Sequence, residues 1–228
     1  MIIIGVDEAG RGPVIGPMVV CAYAIEKEKE GELKKLGVKD SKALTKNKRS
    51  QLKKSLESLG YSEKLILDAD KINELMNKIN LNEIELNSFS KVVKNLINKL
   101  DIKNDKLEIY IDAFSNSEKF VNKFKELISD TIKERNLDVK IIAEHKADAK
   151  YPIVSSASII AKVERDNLIE KYKKIYGDFG SGYPSDKKTI KFLEDYYKKH
   201  KKLPDITRIH WKTCQNIINK YKQTKLTL

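Results

Sequence analysis

Residues 1–17 read MIIIGVDEAGRGPVIGP, and this stretch decides how the rest of the chain is interpreted. An apolar run ends in the adjacent carboxylates Asp7 and Glu8, and a basic glycine turn, residues 10–13, follows at once. The run predicts a central, buried strand over residues 2–7. An ionised carboxylate at the end of such a strand is costly unless a cation or a hydrogen bond compensates its charge. The stretch therefore predicts a place where metal ions are held against a phosphate.

The composition is that of a globular protein with one substantial core. Of the 228 residues, 40% are hydrophobic and 34% are charged, which argues against a disordered chain. No apolar run approaches the roughly 20 residues that cross a bilayer, and the first strand begins directly after Met1, which argues against a signal peptide. Cys21 and Cys214 are far apart and form no metal-ligand pair. We expect a cytoplasmic monomer with no membrane contact.

The positive charge is concentrated near the end of the chain. The formal net charge is +12, and residues 187–228 hold 12 Lys and Arg against 3 Asp and Glu, whereas the remaining residues hold 33 against 30. A solvated helical tail and an electrostatic contact with a polyanion are both consistent with this distribution. Charge alone does not distinguish nucleic acid from a membrane surface. We therefore predict a boundary after residue 186, followed by a basic extension.

Hydrophobic periodicity predicts an α/β fold. Strands are predicted at residues 2–7, 18–25, 61–67, 107–112 and 139–143, and helices at residues 47–58, 70–79, 82–100, 117–134, 152–176, 187–200 and 211–225. Residues 27–40 are predicted to be a charged loop, and Asn82 with Glu85 resembles a capping box. Strands followed by a strand–helix alternation indicate a mixed sheet with helices on both faces.

Four carboxylates end strands or precede helices in this scheme: Asp7, Glu8, Asp112 and Asp148. Neighbouring strand ends meet at one edge of a sheet, where several acids would raise one another's pKa unless divalent cations compensate them. Oxygen ligands favour Mg²⁺ or Mn²⁺ over Zn²⁺. The three histidines are scattered and show no zinc-type spacing. The acids therefore predict a magnesium or manganese site.

The glycine turn superficially resembles a dinucleotide-binding loop. Such a loop opens a helix whose N-terminus binds the diphosphate. Here Pro13 and Pro17 bracket the next residues, and a strand is predicted to follow them. A nucleotide cofactor is therefore not expected.

Five blocks together resemble the type 2 ribonuclease H (ribonuclease HII) family. They are GVDEAGRGPVIGPMV at residues 5–19, DSKALT at 40–45, YIDAF at 110–114, HKADAKYPIVSSASIIAKVERD at 145–166 and GSGYPSD at 180–186. The resemblance implies a ribonuclease H-like catalytic domain at residues 1–186, built on a five-stranded mixed sheet flanked by helices. Residues 187–228 would then be a basic helical C-terminal extension.

The family resemblance also implies the activity. The enzyme would hydrolyse the RNA strand of RNA/DNA hybrids and nick duplex DNA 5′ of embedded ribonucleotides, leaving 3′-hydroxyl and 5′-phosphate ends. The matched metal-binding and catalytic acids are Asp7, Glu8, Asp112 and Asp148. They would hold two divalent ions, Mg²⁺ or Mn²⁺, one activating a water and the other stabilising the leaving 3′ oxygen.

Six further positions match residues that the family uses on its substrate. Gly10, Arg11 and Gly12 would read the 2′-hydroxyl at the RNA–DNA junction, and Tyr183 would stack on the next sugar. The same reading assigns Ser41 and Lys42 to substrate binding, Lys42 through a phosphate.

Two alternatives remain open from the residues alone. A junction resolvase or integrase-like nuclease of the same fold would need the carboxylates but not the glycine turn. A non-catalytic nucleic-acid binding module would need neither metal nor turnover, although gathered acids would repel its ligand. Residues 223–228 faintly resemble a sliding-clamp peptide without its usual aromatic pair, so clamp binding is a further hypothesis.

Overall fold

The computed structural model describes residues 1–38, 44–113 and 118–223. The strands are β1 (Ile2–Ala9), β2 (Met18–Glu26), β3 (Tyr61–Leu67), β4 (Lys106–Asp112) and β5 (Asp138–Glu144). The helices are α1 (Glu30–Lys35), α2 (Lys46–Leu59), α3 (Ala69–Met76), α4 (Leu81–Lys99), α5 (Glu118–Glu134), α6 (Ala147–Lys150), α7 (Pro152–Tyr176), α8 (Lys187–His200) and α9 (Lys212–Gln223). All five predicted strands are confirmed, with ends within about two residues of the expected ones.

The sheet is mixed, as predicted, and β1 lies at its centre. The strand order is β3-β2-β1-β4-β5. β1 runs antiparallel to β2 and parallel to β4, and β4 runs parallel to β5. The C-terminal ends of β1, β4 and β5 therefore meet at one edge of the sheet, which is where the predicted acids lie.

Helix α7 packs closely against β1 because small residues face each other. A Cβ built at Gly5 would lie 2.2 Å from the carbonyl oxygen of Ile153, so only glycine allows this approach. Ser155, Ser156 and Ser158 in the same part of α7 are fully buried. Pro152 is the first helical residue, where its missing N–H costs nothing. This close packing brings α7 against the strand that carries Asp7.

Two local expectations are wrong, and one short helix has no counterpart among the predictions. The predicted loop at residues 27–40 contains a 3₁₀ helix, Lys27–Lys29, followed by α1. α1 is anchored by Leu33 alone, so it has no apolar periodicity to detect. The predicted cap at Asn82 is wrong because α4 already begins at Leu81. The four-residue helix α6 was not expected at all, since one helical turn is too short to leave a pattern.

The described residues form two compact units. The first contains Met1–Ala9, Val19–Leu65 and Asn82–Glu164, and therefore most of the sheet with its helices. The second contains Gly10–Met18, Ile66–Leu81 and Arg165–Leu228. Its own core includes residues from the segment after β1 and from the C-terminal helices: Val14, Ile15, Ile169, Phe179, Leu193, Leu203, Ile206, Cys214 and Ile217. The predicted boundary after residue 186 does not coincide with this division and stays a prediction.

None of the described helices is both long enough and apolar enough to cross a membrane.

Candidate active site

Adjacent parallel strands carry the first two acids of the site. Val6 of β1 pairs with Ile111 of β4, and the next residues along these strands are Asp7 and Asp112. Because the strands are parallel, both carboxylates emerge at the same edge of the sheet. Asp7 is only 3% exposed, in agreement with its predicted place at the end of a central strand.

The third acid comes from the short helix α6, which follows β5. Lys146 precedes this helix with a left-handed backbone (φ 59°), and the N–H of Ala147 donates to Oδ1 of Asp112 at 3.2 Å. Asp148, the second residue of α6, is 3% exposed. The hydrogen bond fixes the start of α6 at the end of β4, and so fixes where Asp148 lies.

These three residues form one group, which we call the acidic cluster. Asp7, Asp112 and Asp148 each offer a carboxylate oxygen, and the three oxygens lie within 4.8 Å of one another. Among the described residues, this group does not include Glu8. Glu8 nevertheless lies close to the group, since its charge raises the pKa of Asp7 more than the charge of Asp112 does. The structure thus brings together three of the four predicted acids.

The environment of Asp7 within the acidic cluster opposes its negative charge. Burial raises the pKa of Asp7 well above its usual value, and the charges of Glu8 and Asp112 raise it further. A hydrogen bond from the Ser158 hydroxyl and the charge of Lys162 act in the opposite direction. Both residues lie on α7, one turn apart. They act on Asp7 against the effects of burial and of the neighbouring carboxylates.

The donor set of the acidic cluster fits a hard divalent cation. Carboxylate oxygens are the ligands that Mg²⁺ and Mn²⁺ prefer, and neither thiols nor imidazoles belong to the group. A divalent cation would also remove the repulsion that raises the pKa of Asp7. Asp7, Asp112 and Asp148 are therefore the residues that could hold such an ion.

The glycine turn begins the second unit, directly after β1. Gly10 has a positive φ of 89°, and a Cβ there would lie 2.1 Å from Nε of Arg165, so this position requires glycine. Gly12 is exposed, and a Cβ there would meet the Tyr183 ring at an ordinary 3.5 Å. Tyr183 is 44% exposed. The turn and this tyrosine therefore present one surface to solvent.

The loop that carries Tyr183 is tied to the residues after the glycine turn. The carbonyl of Gly182 accepts hydrogen bonds from the N–H groups of Val14 at 2.8 Å and Ile15 at 3.1 Å. Asp186 accepts from the backbone N–H of Ser181 at 2.7 Å and from its hydroxyl at 2.8 Å. These hydrogen bonds lower the pKa of Asp186, so the charged carboxylate holds the loop.

Comparison with known proteins identifies the family. The family model for ribonuclease HII matches residues 4–214. The chain belongs to the ribonuclease HII family. It is 74% identical to ribonuclease HII of Methanocaldococcus jannaschii over the full length of both chains.

Solved ribonuclease HII-type structures have the same fold. Ribonuclease H2 of Pyrococcus horikoshii is 41% identical and superposes with a TM-score of 0.84, over 98% of this chain and 100% of that one. A structure of the PCNA:RNase HII complex from Archaeoglobus fulgidus matches at 36% identity with a TM-score of 0.78, over 94% and 96% of the two chains. The predicted ribonuclease H-like fold is confirmed.

Membership of the ribonuclease HII family settles the class of activity. The chain is an endoribonuclease that hydrolyses RNA paired with DNA, and its family depends on divalent metal ions. The junction resolvase, the integrase-like nuclease and the non-catalytic binding module are therefore set aside. The predicted residues Ser41 and Lys42 lie outside the described residues, and the individual roles of the site residues remain predictions.

Sequence reasoning missed two residues that contact the glycine turn in this ribonuclease HII. Arg208 donates to the carbonyls of Gly10 and Arg11, and Trp211 donates to the carbonyl of Gly12. The only signal was an arginine between Ile206 and Ile209, close to the single tryptophan of the chain. Neither residue stands in a block that resembles the family.

Proposed function

We propose that this enzyme hydrolyses the RNA strand of RNA/DNA hybrids and also nicks duplex DNA on the 5′ side of an embedded ribonucleotide. The products would carry 3′-hydroxyl and 5′-phosphate ends. The observation that carries the proposal is the acidic cluster at the C-terminal ends of β1 and β4, in a chain of the ribonuclease HII family. Its biological role would be the excision of ribonucleotides from genomic DNA during replication and repair, and its location would be the cytoplasm.

The acidic cluster is proposed to hold two divalent ions, Mg²⁺ or Mn²⁺. Asp7, Asp112 and Asp148 would ligate them, and Glu8 would join from the position next to Asp7. Such ions supply an activated water for attack on phosphorus and stabilisation of the leaving oxygen. Ser158 and Lys162 would orient Asp7 and favour its ionised form, since both act to lower its pKa against the effect of burial.

The glycine turn is proposed to read the 2′-hydroxyl of the ribonucleotide. Gly12 has no side chain and is exposed, so a sugar can approach the backbone beside the Tyr183 ring. The 2′-hydroxyl is the group that distinguishes RNA from DNA at a given site. Arg11 would hold the neighbouring phosphate with its planar guanidinium. Ser41 and Lys42 are proposed to bind the substrate, Lys42 through a phosphate.

One assay tests the activity directly. A DNA duplex with a single ribonucleotide is incubated with the enzyme in Mg²⁺, in Mn²⁺ and in EDTA, and the cut is mapped against a duplex of the same sequence made only of DNA. We expect metal-dependent cleavage 5′ of the ribonucleotide and no cleavage of the control. Cleavage of the all-DNA duplex, or equal cleavage in EDTA, would contradict the proposal.

The Arg11→Ala variant tests the role of the turn. Because Arg11 follows Gly10 within the proposed reading surface, its loss should lower the preference for the ribonucleotide duplex more than it lowers the affinity for duplex DNA. A charge-assisted hydrogen bond to phosphate contributes about 1.5–3 kcal/mol, so we expect roughly a tenfold effect or more. Equal losses of affinity for the two duplexes would contradict this role.

A sliding clamp is the protein partner included in this proposal. The Archaeoglobus fulgidus relative was solved in complex with PCNA, and residues 223–228 of this chain faintly resemble a clamp peptide. We expect a chain lacking residues 224–228 to lose clamp binding in a pull-down, while its cleavage without the clamp is unchanged. Equal binding of the full and shortened chains would exclude this terminus as the contact.

A further inference from the structure

Arg208 is a fully buried arginine whose side chain binds the backbone of the glycine turn and of the residues just after it. Its exposed fraction is 0%. Its Nη2 donates to the carbonyl of Gly10 at 2.7 Å, its Nη1 to that of Arg11 at 3.0 Å and its Nε to that of Gly16 at 2.9 Å. One planar guanidinium therefore fixes three carbonyls, a geometry that the point charge of a lysine does not reproduce.

Trp211 adds a fourth contact to the same stretch. Its indole Nε1 donates to the carbonyl of Gly12 at 3.0 Å. The guanidinium carbon of Arg208 lies 5.0 Å from the centre of the Trp211 ring, within the range of a cation–π contact. The carbonyls of Gly10, Arg11 and Gly12, three consecutive residues, are thus all bound by these two side chains.

Backbone and amide contacts hold Arg208 in register with the turn. The N–H of Arg208 donates to the carbonyl of Val14 at 2.9 Å, and the N–H of Gly16 donates to that of Ile206 at 2.8 Å. Asn73 of α3 binds on either side of Arg208, because its amide donates to Thr207 and accepts from Ile209. Arg208 is therefore a fixed support and not a flexible surface side chain.

Electrostatics explain why the carbonyls face inwards. Arg165 is also buried, and it donates to the carbonyls of Pro17 at 3.1 Å and Ile15 at 3.4 Å. Burial lowers the pKa of Arg208, and the nearby charge of Arg165 lowers it further, so both cations need partners in place of water. Carbonyl groups within residues 10–17 accept the hydrogen bonds of both guanidinium groups and so replace water as their partners.

The orientation of the carbonyls fixes the orientation of the N–H groups. In a trans peptide the C=O and the N–H of the next residue point in opposite directions, and the described residues contain no cis peptide. The carbonyls of Gly10 and Arg11 point to Arg208, so the N–H groups of Arg11 and Gly12 point away from it. These two N–H groups belong to the surface that we propose reads the sugar.

We propose that Arg208 and Trp211 are positioning residues that set the preference for a ribonucleotide. Arg208 turns the N–H groups of Arg11 and Gly12 towards the substrate, and Trp211 holds the same turn in place through the carbonyl of Gly12, whose following residue, Pro13, has no N–H. This inference rests on the proposed function, because it assigns the reading of the 2′-hydroxyl to the glycine turn. Neither residue touches the substrate. Each acts through a carbonyl of the turn.

The Trp211→Phe variant tests the proposal, since it removes the indole donor and keeps an aromatic ring beside Arg208. Affinities are measured in EDTA, where no duplex is cut, for a duplex with one ribonucleotide and for the same all-DNA duplex. We expect the ratio of the two affinities to fall about two- to tenfold, the equivalent of one hydrogen bond. The affinity for the all-DNA duplex and the melting temperature should stay close to the wild-type values.

The matched control is Tyr197→Phe, which removes a polar group from another aromatic residue that packs against the core of the second unit. It should keep the wild-type ratio. Arg208→Lys should lower the ratio further than Trp211→Phe, and it is interpreted only if its thermal melt shows a folded protein.

The outcomes separate this inference from the proposed function. A wild-type ratio in Trp211→Phe, or an equal loss of affinity for both duplexes, overturns the positioning role while the proposed function stands. A wild-type enzyme that neither prefers nor cuts the ribonucleotide duplex overturns the proposed function itself. The sole tryptophan gives a second readout. Its fluorescence should change more on binding the ribonucleotide duplex than on binding the all-DNA duplex, and equal changes would also count against the inference.

Discussion

The two functional regions of this ribonuclease HII distribute charge in opposite ways. In the first unit, three carboxylates meet and the pKa of Asp7 is raised by burial and by neighbouring negative charge. In the second unit, the buried cations Arg165 and Arg208 are surrounded by the carbonyls of residues 10–17. The acidic cluster would be stabilised by divalent cations, whereas the glycine turn is stabilised by cations of the chain.

This difference predicts how each region responds to substitution. Removing a charge from the acidic cluster relieves repulsion, so the folded state should gain stability as the chemistry is lost. Removing a buried support of the turn, such as the Arg208 guanidinium, leaves backbone carbonyls without their partner, so stability and recognition should fall together. Stability and activity measured side by side therefore distinguish the two regions.

The largest effect is expected for Asp7→Asn. Replacing a residue that only supports a metal ligand costs about 10- to 100-fold, so loss of a ligand should lower cleavage by more than about 100-fold. Without divalent ions the variant should melt at a higher temperature than the wild type, since a buried charge is gone. At this chain length each kcal/mol corresponds to about 2–4 °C. Differential scanning calorimetry in EDTA and a cleavage assay in Mg²⁺ measure the two effects.

The control for Asp7→Asn is Asp130→Asn, which changes an exposed aspartate of α5 in the same unit. It should leave both cleavage and melting unchanged. Cleavage by Asp7→Asn at a rate near that of the wild type would remove Asp7 from the metal site. A lower melting temperature in EDTA would instead show that its carboxylate stabilises the fold.

Two alanine substitutions in the glycine turn distinguish a residue that stabilises the turn, Gly10, from a residue that is proposed to contact the substrate, Gly12. At Gly10, alanine would clash with Arg165 and would need the strained φ of 89°, which should cost about 1–3 kcal/mol of stability as well as activity. At Gly12, the new methyl group makes only a 3.5 Å contact with Tyr183. We expect Gly12→Ala to melt like the wild type and yet to lose affinity for the ribonucleotide duplex. Thermal melts and duplex titrations of both variants check this.

The Gly10→Ala and Gly12→Ala results can contradict the comparison in two ways. If both variants lose stability equally, the outer face of the turn is packed rather than presented to a substrate. If Gly12→Ala keeps the full preference for a ribonucleotide, the backbone beside Tyr183 does not read the sugar.

Much of the acidic cluster could be predicted from the sequence, because the hydrophobic patterns of two strands place two of its acids. The apolar runs before Asp7 and Asp112 place both residues at strand ends. Because β1 and β4 pair in parallel, these two ends lie at the same edge of the sheet. Asp148 was harder to predict from the sequence pattern alone. Its four-residue helix is too short to show a periodicity, and a backbone hydrogen bond to Asp112 fixes its start. The family resemblance, not the pattern, identified it clearly.

The support of the glycine turn was not predictable from the sequence. Arg208 lies 198 residues after Gly10 and binds it through a backbone carbonyl, a group that every residue possesses. A contact between a side chain and a backbone leaves no complementary residue type at the second position. The charge pattern was even misleading, because it grouped Arg208 with the exposed lysines of residues 187–228. In the structure that arginine is fully buried.

The smallest effect concerns those exposed lysines and the hypothesis that they contact a polyanion. The hypothesis suggests removing residues 187–228, but the structure shows that this would also delete Arg208, Trp211 and part of the second core. Glutamine substitutions remove the charge alone. The three exposed lysines of α8 chosen for this variant are Lys187, Lys191 and Lys199.

The triple glutamine variant should bind duplexes with a weaker dependence on salt. Each lost phosphate contact lowers the slope of log affinity against log salt by about 0.9, so the maximum change is about three such steps. The melting temperature and the preference for a ribonucleotide should stay unchanged, because neither depends on these side chains. A matched triple on α5 of the first unit, with Lys119, Lys125 and Lys133 replaced by glutamine, should leave the slope as it is. Equal slopes for the wild type and both triple variants would show that the exposed lysines of α8 are solvated and contact no phosphate. The buried Arg208 would then be the functional cation of this part of the chain.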